Sequence, residues 1–172
     1  MKQKELSILL RAVVVLCGLV WLFFANWFGR MLGLAIVEGV YALAYPLFLC
    51  LMLLPPLVVF WDAWNIFTQI GRNNSFCVAN ARRLRRISHC ALIDTVLVVI
   101  MIVYGLIYRF ATFAADMASS DIISLFGNDL FEAVIRWLFV AFVGVAVTIA
   151  AAALSHLTLK AADLQDENDL TI

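Results

Sequence analysis

The 172-residue chain is 65% hydrophobic and 14% charged, with 12 Lys and Arg set against 12 Asp and Glu, and its mean hydropathy is +1.01. Soluble domains are about half apolar and about a quarter charged, so too little polar residue is present here to cover a water-soluble globule. This excludes an ordinary soluble domain and indicates an integral membrane protein. Because only helices or closed barrels satisfy the backbone in lipid, the long apolar runs predict an all-α four-helix transmembrane bundle, a single membrane domain over residues 1–172.

Lys2, Lys4 and Arg11 precede the first apolar run. No Ala-x-Ala cleavage pattern follows, so residues 8–28 are read as a retained first span with Trp21 and Trp27 as interfacial anchors. Residues 29–39 form the outer connection, either a short interfacial helix or the end of a long tilted span. Their Gly29–Gly33 spacing reads as a loop feature rather than a dimer motif.

Span two covers residues 41–64 and can continue to 70. Pro46 and the pair Pro55–Pro56 interrupt it, because each removes a backbone donor and crowds the preceding turn. The plain reading is a bent packing helix; the sharper one is a cavity wall. Asp62, Asn65 and Gln69 share one helix face.

Residues 71–89 hold five of the 12 basic residues (Arg72, Arg82, Arg83, Arg85 and Arg86), and no acid lies between Asp62 and Asp94. A basic island between apolar spans marks the cytosolic side. Asn74 or Ser75 can cap a helix from Phe76, with Phe76, Leu84, Ile87 and Ala91 on one flank and the arginines over the rest. This predicts an amphipathic basic cytosolic helix running straight into span three, residues 90–113.

Residues 114–132 carry four acids and no Lys or Arg, which fits an outer loop; Ser119–Ser120–Asp121 can cap a short helix there. Glu132 and Arg136 are helix neighbours, and Arg109 can reach Glu38 or Asp116. Span four covers residues 133–157. Its stripe Gly144, Thr148, Ala152 and Ser155 predicts a close helix contact. The helical period continues into an acidic cytosolic tail, residues 160–172, with Asp163, Asp166, Glu167 and Asp169. The resulting topology is N-in/C-in.

Ranked by depth, Arg11, Asp62, Asp94 and His156 fall in the cytosolic third. Charges in hydrocarbon usually face the interior and pair, so Arg11 is expected to meet Asp62 or Asp94, with His156 nearby. A latch fixing helix register is the plainer expectation; a proton- or ion-linked switch is the sharper one. Arg82, Arg83, Arg85 and Arg86 are expected to contact anionic headgroups or the acidic tail. Direct nucleic-acid binding is not expected, because the helix abuts the membrane and lacks an aromatic platform.

Cys17, Cys50, Cys77 and Cys90 form no CxxC and are read as reduced. The chain has no GxSxG, Walker loop or HExxH, and only two histidines, His89 and His156. It therefore offers no catalytic, cofactor-binding or metal residues by motif, and it is not read as an enzyme.

IGRNNSF (70–76), NARRLRRIS (80–88), ALIDT (91–95) and the end LSHLTLKAADLQDENDLTI (154–172) together resemble the "domain of unknown function 2975" family. The start MKQKELSILLR is also similar. The resemblance implies a small four-span protein of the bacterial cytoplasmic membrane with no assigned activity. Members are often encoded beside a small helix-turn-helix regulator, which implies a regulatory or scaffold partner of a transcription factor. The Pro55–Pro56 break and the inner acids keep a second class open: a small oligomeric transporter, channel or immunity-type protein. Homo-oligomers are compatible with either.

Overall fold

The computed structural model describes residues 3–38, 47–72, 75–115 and 128–169. All regular structure among them is helical: α1 (Gln3–Glu38), α2 (Leu54–Gly71), α3 (Val78–Ala115) and α4 (Asn128–Asp169). Four stretches are long and apolar enough to cross a membrane: Lys4–Arg30, Leu47–Gly71, Val78–Ile107 and Val134–Gln165. At 38 and 42 residues, α3 and α4 are about 57 and 63 Å long, roughly twice the hydrocarbon thickness. The apolar side chains that point away from neighbouring helices remain exposed, Phe23 and Phe142 at 71% each. A lipid-facing surface requires this.

Four element boundaries differ from the sequence reading, one being the start of α4, which begins at Asn128 inside the expected outer loop of residues 114–132. Helix α1 continues through the expected outer connection to Glu38, the long-span option. Gly29 sits inside it with open space where a Cβ would lie, so it is not a loop residue and makes no packing contact there among the described residues. The expected kink in span two is a full break: a helical turn at 47–51, a turn at Met52–Leu53, then α2 with its prolines in the first turn. Pro55 and Pro56 have no N–H to return to the carbonyls of Leu51 and Met52, but both fit the start of a helix, where such donors go unused.

Helix α3 starts at Val78 rather than Phe76, because the Cys77 carbonyl accepts from the N–H groups of Asn80 (3.0 Å) and Ala81 (3.2 Å). Asn80, 1% exposed, donates through Nδ2 to the Ser75 carbonyl at 3.0 Å and so ties the entry turn to the helix. Phe76 is exposed, and the buried face is Asn80, Ala81 and Ser88 rather than the expected flank. Pro46, Asn74 and the Ser119–Asp121 cap lie outside the described residues, as do the side chains of Glu38, Arg109, Asp116 and Glu132.

Each helix packs on the next: α1 on α2, α2 on α3, and α3 most extensively on α4. The α3–α4 pair is antiparallel and built from small residues. Ser155 Oγ donates to the Ala81 carbonyl at 2.7 Å, Ser88 Oγ donates to the Thr148 carbonyl at 3.0 Å, and Gly144 lies against Thr95. Ala81, Ser88 and Thr95 are seven residues apart, the repeat of a left-handed helix pair. On α4 the buried positions Ala141, Ala151, Ser155, Thr158 and Ala162 join Gly144 and Thr148 in alternating steps of three and four.

The expected small-residue stripe therefore does meet a helix, and that helix is α3 of the same chain. One member is misplaced: Ala152 faces outward and Ala151 takes its place. The α1–α2 pair repeats the theme. Ser7 Oγ donates to the Phe67 carbonyl at 2.6 Å, and Trp21 meets Phe60 edge-on with centroids 6.3 Å apart. A Cβ on Gly71 would fall 2.7 Å from Ser7 Oγ, so that glycine admits the serine.

A methyl group at position 144 has no room, because it would overlap the Thr95 hydroxyl. Gly144→Ala is expected to lower stability by about 1–3 kcal/mol, the usual cost of overpacking. Adding Thr95→Ala should recover most of that loss. Reversible unfolding in mixed micelles measures both. Failure of the second change to recover stability would mean that the two helices do not meet at this point.

Candidate functional site

Asp62 is fully buried, with 0% of the residue exposed. It lies on α2, the helix between α1 and α3. Arg86 of α3 donates through Nη2 to Asp62 Oδ1 at 2.7 Å. The carboxylate side chain is 1% exposed and the arginine 59% exposed. This asymmetry decides how the pair works. The cation stays exposed at the protein surface while compensating a carboxylate that is enclosed by protein. The second oxygen, Asp62 Oδ2, is buried without a hydrogen-bond partner.

Asp62 thus pairs with Arg86, not with Arg11. Arg11 instead places its guanidinium 5.5 Å from the centroid of the Trp64 ring, a cation–π contact worth about 0.5–2 kcal/mol depending on desolvation. Its Nε is buried without a partner. The reason is azimuth. Trp64 lies about 200° around α2 from Asp62 at 3.6 residues per turn. Phe60, Trp64, Phe67 and Gly71 form the α1-facing side, and Asp62 faces α3. An arginine on α1 therefore meets tryptophan.

The other expected members do not join this pair. Asp94 follows Arg86 and Cys90 in steps of four along α3, about 12 Å beyond Arg86, and its Oδ1 is buried without a partner. His156 is exposed; it follows Ser155, which faces α3, and so points away from the seam. The expected four-residue cluster thus resolves into an α2–α3 ion pair, an α1–α2 cation–π contact, a lone carboxylate and an outward histidine.

The four arginines divide between internal and outward roles. Arg86 goes to Asp62. Arg83 donates through Nη1 to Asn80 Oδ1 at 2.9 Å, completing the entry-turn network. Arg82 and Arg85 are exposed and line a groove of about 240 Å³ between α3 and α4, together with Val78, Ala81, Ser155 and Leu159. Lys160 is exposed beside it, and beyond the last seam residue, Ala162, α4 continues as an exposed charged rod bearing Asp163 and Glu167. Asp166 and Asp169 belong to the same helix, and their side chains lie outside those described. The four cysteines are free.

Loss of Arg86 leaves a buried, uncompensated carboxylate. Arg86→Gln is expected to destabilise the fold toward the lower end of about 3–5 kcal/mol, since the arginine itself is more than half exposed at the protein surface. Asp62→Asn combined with Arg86→Gln should be more stable than Arg86→Gln alone. The measurement is a double-mutant cycle by unfolding in micelles; additive losses would show that the pair carries no coupling.

No curated protein and no solved structure matches the chain. A family model does, described as "Protein of unknown function (DUF2975)", and it matches residues 7–172. With almost its whole length covered and four helices long and apolar enough to cross a membrane, the chain belongs to this family.

Proposed function

We propose that the protein is a multi-pass regulatory or scaffold protein of the bacterial cytoplasmic membrane whose basic end faces the cytosol. There it presents the projecting α3–α4 pair to a small helix-turn-helix regulator. The observation that supports this reading most is the length of α4. It carries Lys160, Asp163 and Glu167 as exposed side chains on a continuous helix that runs to Asp169. A rigid acidic rod standing next to the membrane matches the basic surface of a DNA-binding partner and competes with DNA for it. The basic island at 82–86 supports the orientation through the positive-inside rule. The residues that would carry the contact are Asp163, Asp166, Glu167 and Asp169.

A second reading, transport or ion conduction by an oligomer, draws on two observations. The Asp94 carboxylate has a buried oxygen without a partner, and the prolines leave the Leu51 and Met52 carbonyls without their helical donors. Broken helices and intramembrane acids are the usual furniture of transport sites. Reconstituted protein showing no uptake or conductance removes this reading.

Two outcomes are expected for the docking reading. A fluorescent protein fused after Ile172 fluoresces, and alkaline phosphatase fused there is inactive. Membranes containing the wild-type chain retain a tagged small helix-turn-helix regulator, and Asp163→Lys with Glu167→Lys lowers that retention about tenfold. Active phosphatase at the C-terminus would overturn the orientation, and undiminished retention would overturn the role of the rod.

A further inference from the structure

The groove between α3 and α4 is half cationic and half apolar. Arg82 and Arg85 stand three residues apart on α3, close enough to act on one ligand. Neither has a carboxylate within ion-pair distance among the described residues. The groove lies on the first turns of α3, the positive end of the helix dipole. Val78, Ala81 and Leu159 supply its apolar wall. Ser155 spends its proton on the Ala81 carbonyl, so the arginines are the side-chain donors facing the space.

What distinguishes this groove from a general basic surface is its continuation. Along α3 the side that bears Arg82 and Arg85 passes His89, which is exposed, and then carries on as Leu92 (48% exposed), Val96 (49%) and Val99 (46%). Along α4 the side that bears Leu159 carries on as Ala152 and Val145, both exposed. Two forked donors, with His89 one turn further along α3, therefore sit at the head of an uncovered apolar strip running into the membrane-crossing part of both helices. A free phosphate needs the first feature only. An amphiphile with an anionic phosphodiester and an acyl chain uses both.

We propose that Arg82 and Arg85 bind the phosphodiester of an anionic phospholipid whose acyl chain lies along the α3–α4 groove. Arginine presents its N–H groups in a planar fork matched to phosphate oxygens, which gives the site geometry as well as charge. The site also fixes the depth of the basic segment, because the headgroup sits at the level of the groove and the hydrophobic strip lies below it. The proposal is independent of the docking reading, which uses the acidic rod beyond the groove.

The test is native mass spectrometry of the full-length protein in mild detergent, titrated with phosphatidylglycerol, with phosphatidylcholine of the same chains, or with inorganic phosphate. The wild type is expected to retain phosphatidylglycerol about 30-fold better than phosphatidylcholine, the preference two juxtamembrane arginines confer. Arg82→Gln/Arg85→Gln should bring the two lipids to within about threefold. Leu159→Trp, which fills the groove and leaves the charge intact, should do the same. Arg72→Gln, which removes a basic residue outside the groove, should keep the preference. Far-ultraviolet circular dichroism in the same detergent establishes that each variant is folded.

Three results overturn the proposal. One is a preference that survives in the folded double variant. Another is a preference lost equally in Arg72→Gln, which would make the effect general charge. The third is displacement of the lipid by millimolar inorganic phosphate, which would make the groove a free-anion site.

Discussion

In hydrocarbon, one apolar helix gains little by exchanging lipid for another apolar helix, so association depends on close approach and on hydrogen bonds between backbones and small polar side chains. That constraint explains where the polar residues of this chain go. Ser88, Thr95, Thr148, Ser155 and Thr158 are spent at the α3–α4 interface, where alanines and Gly144 bring the helices close. Each interhelical hydrogen bond of this kind contributes about 0.6 kcal/mol on average. The seam is therefore stabilised mainly by the dispersion contacts that close approach permits, with the hydrogen bonds fixing the register.

The other two interfaces use the same means with larger groups. Between α1 and α2, Ser7 reaches the Phe67 carbonyl because Gly71 leaves it room, and Arg11 lies over Trp64. Between α2 and α3, the Arg86–Asp62 pair joins the basic segment to the buried side of α2. Arg86 thus links the two halves of the fold, since α3 is also one side of the small-residue seam. A force on the basic segment reaches α2 through this ion pair and α4 through the seam. That connection gives the proposed docking and lipid sites a mechanical route into the membrane.

Much of this was legible in the sequence. Four apolar runs gave four membrane-length helices, and the helical period continuing into residues 160–172 gave an α4 that runs on past the apolar stretch. The misplaced pairings share a physical origin. Ranking Arg11, Asp62 and Asp94 by depth placed them at similar levels but left their azimuths undetermined, and azimuth assigns Asp62 to α3 and Trp64 to α1. The stripe Gly144, Thr148, Ala152 used repeated steps of four, which drift about 40° each at 3.6 residues per turn. Alternating three and four returns to the face, and so Ala151 is the residue inside. The role of Arg86 was hidden by composition, because four arginines in five positions look equivalent until a partner helix distinguishes them.

The register of the α3–α4 seam carries the rest of the account, since the groove, the proposed lipid site and the projecting rod all follow from it. Disulfide cross-linking in membranes, with the four native cysteines replaced, tests it directly. Paired cysteines at Ala81 and Ser155, and at Ser88 and Thr148, should cross-link rapidly. Moving the α4 partner by two residues, to Leu157 or Ala150, should abolish the cross-link by turning it about 200° away. Equal cross-linking of the shifted pairs, or none at the paired positions, would contradict the seam and the sites built on it.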